Sequence, residues 1–130
     1  MVRVNLQRLA FSPGLPRIRG DAFLLRQALV NLIDNAADFS PRRGEIELRM
    51  EGDDRQLRIE VADRGQGVPD YAMPRVFERF YSLPRPDGGS RSSGLGLCFV
   101  AEVAALHGGT VELRNRDGGG AIATFSVPLS

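Results

Sequence analysis

Two asparagines four residues apart stand out on an otherwise apolar stretch of the sequence. They open and close the run Asn31-Leu32-Ile33-Asp34-Asn35, and a spacing of four places both amides on one face of a helix. Amides that project from a mostly apolar helix need polar partners. A hydrated Mg²⁺ with phosphates would supply them. The alternative is that both amides simply face solvent, as surface asparagines commonly do.

A second candidate segment is Asp63-Arg64-Gly65-Gln66-Gly67, which directly follows a predicted strand. An aspartate at a strand end can accept a hydrogen bond from an exocyclic amine. The glycines beside it allow positive φ and a close approach of the backbone to a ring. The alternative is an ordinary Asp/Gly turn.

A third segment, Ser93-Gly94-Leu95-Gly96-Leu97, opens a predicted helix. Free amides and the positive end of the dipole make a helix N-terminus an anion site, and glycines let phosphate oxygens come close. The alternative is a loop that needs flexibility before a helix. The GxGxxG dinucleotide pattern and the GxxxxGK[ST] phosphate loop are both missing from the sequence.

The fourth segment, Phe77-Glu78-Arg79-Phe80-Tyr81, is aromatic and charged. Aromatic side chains at such positions most often anchor a core or a loop. Arg79 could reach a phosphate, or it could pair with Glu78.

Two long helices are predicted. The first carries Asn31 and Asn35, and the second begins at Gly94 and Gly96. The first begins after the N-cap Asp21 and ends near Phe39, because Ser40-Pro41 is incompatible with helical geometry. The second runs from Gly94, with Ser93 as N-cap, to about Leu106 and ends at His107-Gly108-Gly109. A short helix is also predicted over residues 71–77.

Alternating polar and apolar residues predict strands at four places. These are residues 45–51, 56–62, 111–115 and 121–127, preceded by an irregular or strand-like entry at residues 1–19. The fold class predicted is α+β, a two-layer sandwich with helices on one face of a mixed, largely antiparallel sheet.

The composition narrows the classes of partner. A chain of 130 residues fits one domain. Its net charge of +1 is too small to indicate nucleic acid or an anionic membrane as a partner. All 17 basic residues are arginine, which suits bidentate phosphate contacts. The single Cys98 cannot form an intrachain disulfide and is predicted to be a packed core thiol. One cysteine and one histidine cannot build a metal cluster, and no apolar run reaches bilayer length.

Taken together and in this order, the four segments resemble the HATPase domain of two-component sensor histidine kinases, in the GHKL superfamily with its Bergerat ATP-binding fold. They look like its N box (residues 31–35), G1 box (63–67), F box (77–81) and G2 box (94–97). The resemblance covers roughly residues 20–128. The run from Tyr71 through Phe99 looks most like kinases of the carbon-source-responsive Cre type.

The resemblance implies roles for the N box. Asn35 would coordinate Mg²⁺ and Asn31 would lie near the triphosphate, so both are expected to be catalytic. One departure is notable, because Asp38 stands where these kinases usually carry Lys or Arg. A carboxylate there would repel phosphates. Either Asp38 turns away, or it binds the metal through water, or the charge comes from Arg79 and Arg91.

The resemblance also implies how adenine would be held. Asp63 would accept a hydrogen bond from the N6 amine, and Gly65 and Gly67 would line the adenine pocket. Thr124 would hold a water beside Asp63.

The triphosphate would be held by the G2 box and the basic residues around it. Residues 82–93 resemble the ATP lid, and Phe77 and Phe80 would anchor its base. The nucleotide-binding residues expected in this part of the chain are Arg79, Arg85, Arg91, Gly94, Leu95, Gly96 and Leu97.

The implied function is to bind Mg-ATP and donate its γ-phosphate to a histidine on a separate dimerisation domain, and through that domain to a response regulator. The parent is expected in the inner membrane with this domain in the cytoplasm. Three alternatives remain: an ATP-hydrolysing member of the superfamily, an anti-sigma serine kinase, and a non-enzymatic ATP sensor. The first would need Glu as a base where Asn31 stands. The only histidine, His107, is expected to close the second helix.

Overall fold

The computed structural model describes residues 20–40, 44–81 and 96–128, together with the backbone of residues 3–10. The elements in chain order are β1 (Arg3–Ala10), α1 (Ala22–Phe39), β2 (Glu45–Gly52), β3 (Gln56–Ala62), a 3-10 helix (Met73–Arg75), α2 (Gly96–Leu106), β4 (Thr110–Asn115) and β5 (Ala121–Pro128). In the described ranges no helix combines the length and the apolar character needed to cross a membrane.

The strands form one mixed sheet in the order β1-β2-β3-β5-β4. β1 pairs with β2 in parallel, and the other three pairings are antiparallel. A parallel pair requires a crossover connection, and α1 lies in the connection between β1 and β2. The predicted α+β sandwich is confirmed. Residues 1–19, predicted to be irregular or strand-like, contain β1 (Arg3–Ala10), which adds a strand to the four predicted from the alternating pattern.

α1 forms where the sequence predicts it. Asp21 has extended backbone geometry (φ −90°, ψ 110°), and its side chain accepts a hydrogen bond from the Leu24 amide at 3.1 Å. This satisfies one of the free amides of the first turn. The helix ends at Ser40, whose ψ of 147° is extended as the following proline requires.

α2 ends in a Schellman motif. The Gly109 amide donates to the Ala104 carbonyl at 2.7 Å, and the Gly108 amide donates to the Ala105 carbonyl at 3.1 Å. Gly108 has φ of +72°, a conformation that costs glycine little. The end predicted at residues 107–109 is therefore confirmed. The predicted start at Ser93 and Gly94 lies outside the described residues.

His107 joins the end of α2 to the start of α1. Its Nε2 accepts a hydrogen bond from the Asp21 amide at 3.0 Å, and its Nδ1 lies 2.8 Å from the Val103 carbonyl oxygen. An Nδ1–H tautomer satisfies both contacts. A Cβ on Gly20 would lie 2.2 Å from the imidazole ring, so the chain passes close beside it. The structural role predicted for His107 is confirmed.

The core lies between the two helices and the inner face of the sheet. α1 contributes one row of buried side chains at spacing four, and β2, β3 and β5 contribute alternate residues. Each fully buried Leu, Ile, Val or Phe side chain adds about 1.5–3 kcal/mol. The cluster consists of Ala28, Leu32, Ala36, Ile46, Leu48, Ile59, Val61, Val100, Val103, Ala104, Ala123, Phe125 and Val127. Cys98 does not belong to this cluster; it is half-buried, with its Sγ 3.7 Å from Glu102 Oε1, so the predicted packed core thiol is wrong.

Candidate functional site

A cavity opens between the C-terminal half of α1, the start of α2 and the ends of β3, β4 and β5. It collects residues from four separate stretches of the chain. Its lining consists of Asn31, Asp34, Asn35, Asp38, Phe39, Asp63, Gly67, Val68, Val76, Tyr81, Gly96, Leu97, Leu113 and Ala121. The N box, the G1 box and the described part of the G2 box therefore meet at one place.

Asp63 is a buried carboxylate at the end of β3, with only 6% of its surface exposed. Its amide donates to the Ala121 carbonyl at 2.9 Å. Its Oδ1 accepts from the Gly65 amide at 2.8 Å and from the Ala121 amide at 3.2 Å. Oδ2 has no hydrogen-bond partner in the described ranges. The backbone thus fixes one carboxylate oxygen and leaves the other for a donor in the cavity.

Burial raises the pKa of the Asp63 carboxyl above its usual value, since the desolvated charge is disfavoured. The amides of Gly65 and Ala121 and the positive charge of Arg116 oppose this rise in pKa. A buried carboxylate with a raised pKa at a cavity wall is typical of a functional site.

The two glycines of the G1 box have different tasks. Gly67 has φ of +76° and lines the cavity, as predicted. Gly65 does not line it. A Cβ at Gly65 would lie 2.0 Å from the carbonyl oxygen of Phe39, so glycine is needed there for the loop to pass the end of α1. The role expected for Gly65 is corrected from pocket lining to support of Asp63.

Asn31 and Asn35 both line the cavity, so their predicted common face is confirmed. The Asn31 amide is held at both ends. Its Oδ1 accepts from Gln27 Nε2 at 2.9 Å, and its Nδ2 donates to the Gly96 carbonyl at 3.4 Å. Asn35 has no side-chain hydrogen bond in the part of the chain that the structure describes. Its amide oxygen is available to a ligand.

Two carboxylates that the site prediction omitted, Asp34 and Asp38, also line the cavity. The three possibilities stated for Asp38 stay predictions. Both residues follow an asparagine of the N box by three positions, and this spacing alone could have placed them there. Carboxylate and amide oxygens are the donors that Mg²⁺ prefers. No group of three His, Cys, Asp or Glu within the described ranges could hold a metal by itself.

The F box reaches the cavity through Tyr81, whose ring lies 4.5 Å from the Arg75 guanidinium. Arg75 also pairs with Glu78 at 3.4 Å. Arg79 is exposed and does not line the cavity, so the described geometry gives no support for its phosphate contact. Phe80 is 70% exposed with φ of +64°, whereas Phe77 is half-buried. Their role as anchors of the lid base stays a prediction, because residues 82–93 lie outside the described ranges.

Thr124 was expected beside Asp63, and the structure contradicts this. β5 alternates strictly, with Ala121 and Ala123 buried on the inner face and Thr124 on the other face. Thr124 pairs with Glu60 and Glu112 across the sheet. Ala121, three residues earlier, supplies the groups that contact Asp63.

Several expected phosphate contacts lie outside the described residues. They are Arg85 and Arg91 of the predicted lid (residues 82–93), and Gly94 and Leu95 of the G2 box. Gly96 and Leu97, which are described, line the cavity. Three further wall residues, Val68, Val76 and Leu113, carried no signal in the sequence beyond being apolar.

The fold and cavity agree with a family match. Residues 20–130 match the family described as histidine kinase-, DNA gyrase B-, and HSP90-like ATPase. The chain belongs to this family. Its relatives are named sensor histidine kinases, and it is a domain of the histidine kinase ATPase type.

Individual relatives indicate which members of this family the chain resembles. The sensor protein CreC of Escherichia coli (strain K12) is 51% identical over 119 residues, which is 92% of this chain and 25% of CreC. Among solved structures, a mycobacterial sensor histidine kinase, MprB, is 28% identical with a TM-score of 0.77, covering 98% of this chain and 80% of that one. Full-length ShkA in complex with AMPPNP is 35% identical with a TM-score of 0.77, and the match covers 99% of this chain and 26% of the ShkA chain. The chain spans about a quarter of the length of CreC.

Proposed function

We propose that this domain binds Mg-ATP in the cavity and presents its γ-phosphate to a histidine on a separate dimerisation domain of the parent kinase. The observation that carries the proposal is the half-satisfied Asp63 carboxylate at one end of a cavity whose other end holds Asn31 and Asn35. An acceptor for an amine at one end and, at the other, the Asn35 amide oxygen, which could hold Mg²⁺, match the base and the metal-bound polyphosphate of an adenine nucleotide.

The adenine end is built by Asp63. Its Oδ2, which has no partner among the described residues, would accept a hydrogen bond from the N6 amine, while Gly67, with no side chain, would let the ring approach the backbone. Apolar side chains of Val68, Val76 and Leu113 line the same cavity and suit the faces of a base.

The polyphosphate end is built by α1 and the start of α2. Asn35 would hold Mg²⁺ through its amide oxygen, and Asn31 is positioned by its bond to Gly96 beside the amides of the helix start. When bound, Mg²⁺ neutralises charge that develops on the transferring group. Arg85, Arg91, Gly94 and Leu95 are proposed to complete the phosphate contacts.

The acceptor histidine must come from elsewhere. His107 already uses both ring nitrogens, and it lies eleven residues along α2 from the cavity residue Gly96. That is about 16 Å at 1.5 Å per residue, whereas in-line transfer needs atoms within about 3.5 Å. The exposed aromatics Tyr71 and Phe80 mark the edge proposed to meet the second domain.

Transfer rather than hydrolysis is favoured by Asn31. An amide cannot accept a proton from water as a general base, and this amide is held by Gln27 and Gly96. We therefore propose slow ATP hydrolysis by the isolated domain. The parent is proposed to be an inner-membrane sensor with this domain in the cytoplasm, signalling to a response regulator.

The test mixes this chain with the separately produced histidine domain of its parent and radiolabelled Mg-ATP. Acid-labile label is expected only on the added domain, and only when both proteins are present. Acid-stable label on this chain, or rapid release of free phosphate by the chain alone, would refute the proposal. The His107→Ala variant serves as control and is expected to donate label as well as the wild type.

A further inference from the structure

The loop after Asp63 is tied to the β4–β5 hairpin by the carboxamide of Asn115. Asn115 Oδ1 accepts from the Val68 amide at 2.7 Å, and Asn115 Nδ2 donates to the Val68 carbonyl at 2.8 Å. The side chain thus pairs with both polar groups of one residue, 47 positions away. In the described part of the chain, Asn115 is the one residue that hydrogen bonds to residues 66–68.

The Asn115 carboxamide also lies directly over Gly67. A Cβ on Gly67 would be 2.8 Å from Asn115 Oδ1. Gly67 and Val68 line the cavity, and Asn115 itself does not. Asn115 can therefore influence a bound molecule only through the loop that it holds.

The same hairpin anchors the other end of the loop. Arg116 Nη1 donates to the Asp63 carbonyl at 3.2 Å, and Ala121 pairs with the Asp63 backbone and carboxylate. A Cβ on Gly120 would lie 2.0 Å from the Asp63 carbonyl oxygen, so the two backbones are in close contact. Residues 63 and 68 are both fixed to one hairpin, and the segment between them spans the two attachments.

We propose that Asn115 is a positioning residue for the nucleotide base. It holds Gly67 and Val68 at a fixed distance from the Asp63 carboxylate, and this distance sets how well an adenine ring fits between them. This inference rests on the proposed function. It predicts that loss of the Asn115 contacts weakens base recognition more than phosphate recognition.

The test compares Asn115→Ala and Asn115→Asp with the wild-type chain. The matched control is Asp117→Ala, an exposed residue of the same hairpin. Binding of non-hydrolysable ATP and GTP analogues with Mg²⁺ is measured by calorimetry, and exchange of the Val68 amide is followed by NMR. Melting curves of the free variants show whether the hairpin stays folded.

Asn115→Ala is expected to weaken binding of the ATP analogue by about five- to twentyfold. It should reduce the preference for ATP over GTP and speed exchange of the Val68 amide. Asn115→Asp should have an intermediate effect, since it keeps the acceptor for the Val68 amide and loses the donor to its carbonyl. A purely structural role would lower the melting temperature without changing the ratio of the two affinities.

The outcomes separate the two proposals. If the wild-type chain binds neither analogue, the proposed function itself fails. If it binds ATP and Asn115→Ala retains the same affinity and base preference, only the positioning role is overturned. An equal loss in Asp117→Ala would also overturn it, because the effect would then belong to the hairpin generally.

Discussion

The two ends of the cavity are built in contrasting ways. At the adenine end, Asp63 is 6% exposed and its Oδ1 is fixed by two backbone amides. At the proposed phosphate end, Asn35 and Asp34 lie on one face of α1 and line the cavity, and the Asn35 side chain has no hydrogen bond in the described ranges. The adenine end is made of strand ends and a hairpin, whereas the phosphate end is made of side chains on α1.

The two ends therefore differ in which of their hydrogen bonds are already formed before a nucleotide binds. An acceptor held by backbone bonds is preorganised, so little entropy is lost when a base binds. Side chains that face a cavity with carboxylates nearby gain their partners only when a cation and phosphates enter. We expect base recognition to depend on shape and one hydrogen bond, and phosphate recognition to depend on the metal.

The largest effect is expected from Asp63→Asn. Loss of a buried charged acceptor should cost about 1.5–3 kcal/mol, or roughly ten- to a hundredfold in affinity for ADP and ATP. The fold should persist, because the asparagine carbonyl can still accept from Gly65 and Ala121. Calorimetry with ADP measures the loss, and Asp54→Asn in the distant β2–β3 turn is the matched control. Unchanged affinity would remove Asp63 from the adenine end.

The raised pKa of Asp63 predicts a pH dependence with a definite sign. The ionised carboxylate accepts the N6 amine, so affinity should fall by up to about tenfold per pH unit once pH drops below the folded pKa. Because burial raises this pKa, the loss should begin above the ordinary range near 3.9. The contribution of this carboxyl to fold stability should change in the opposite direction, rising as pH falls through its folded pKa, since protonation relieves a desolvated charge. Titrating affinity in wild type and Asp63→Asn tests this, and a flat difference between them would contradict it.

At the phosphate end, Asn35→Ala should remove most of the benefit of Mg²⁺. The ratio of ATP affinities with and without the metal should fall by about five- to thirtyfold, while affinity without metal stays near wild type. Asn31→Ala is the matched comparison. Asn31 is held by Gln27 and Gly96, so its loss should affect the metal ratio less. Equal metal ratios in Asn35→Ala and wild type would contradict a role in holding Mg²⁺.

A gain is expected from Asp38→Asn, which removes one negative charge from the cavity wall. Repulsion between like charges in a solvated site is on the order of 0.5–1 kcal/mol, so ATP should bind about two- to fivefold tighter. ADP should gain less than ATP. Asp54→Asn controls for the change in net charge far from the cavity. Weaker binding of Mg-ATP by Asp38→Asn would instead indicate that this carboxylate helps to hold the metal.

Much of the fold could be predicted because its signals are local. The N-cap Asp21, the stop at Ser40 and the glycine end of α2 each depend on a few adjacent residues. In residues 45–62, the alternation of polar and apolar side chains likewise indicates which face of each strand is buried. The parallel pairing of β1 with β2 depends on contacts far apart in sequence, and no local pattern could reveal it.

The location of site residues was predictable where it follows from residue type and position on an element. Asn31, Asn35 and Asp63 are such cases, and each lines the cavity. Thr124 was misplaced because a shift of one residue along a strand turns a side chain to the other face of the sheet. The apolar wall residue Leu113 and the contact of Asn115 with Val68 required the tertiary structure, since neither type nor spacing connects them to Asp63.

The smallest effect on the cavity is expected from His107→Ala, at the opposite end of the helix pair. The substitution removes an acceptor for the Asp21 amide and a donor to the Val103 carbonyl. Losing these two contacts, one exposed and one part-buried, should cost about 1–2 kcal/mol of unfolding free energy, seen as a melting temperature lower by several degrees. Leu106→Ala, at a neighbouring side chain that is 74% exposed, controls for truncation at the same helix end and should melt near the wild type. Nucleotide affinity should be unchanged in both variants, because the contact joins helix ends about 16 Å from Gly96. A loss of ATP affinity in His107→Ala alone would contradict this expectation. It would show that the hydrogen bonds joining α1 to α2 at His107 influence the positions of the side chains at the phosphate end of the cavity.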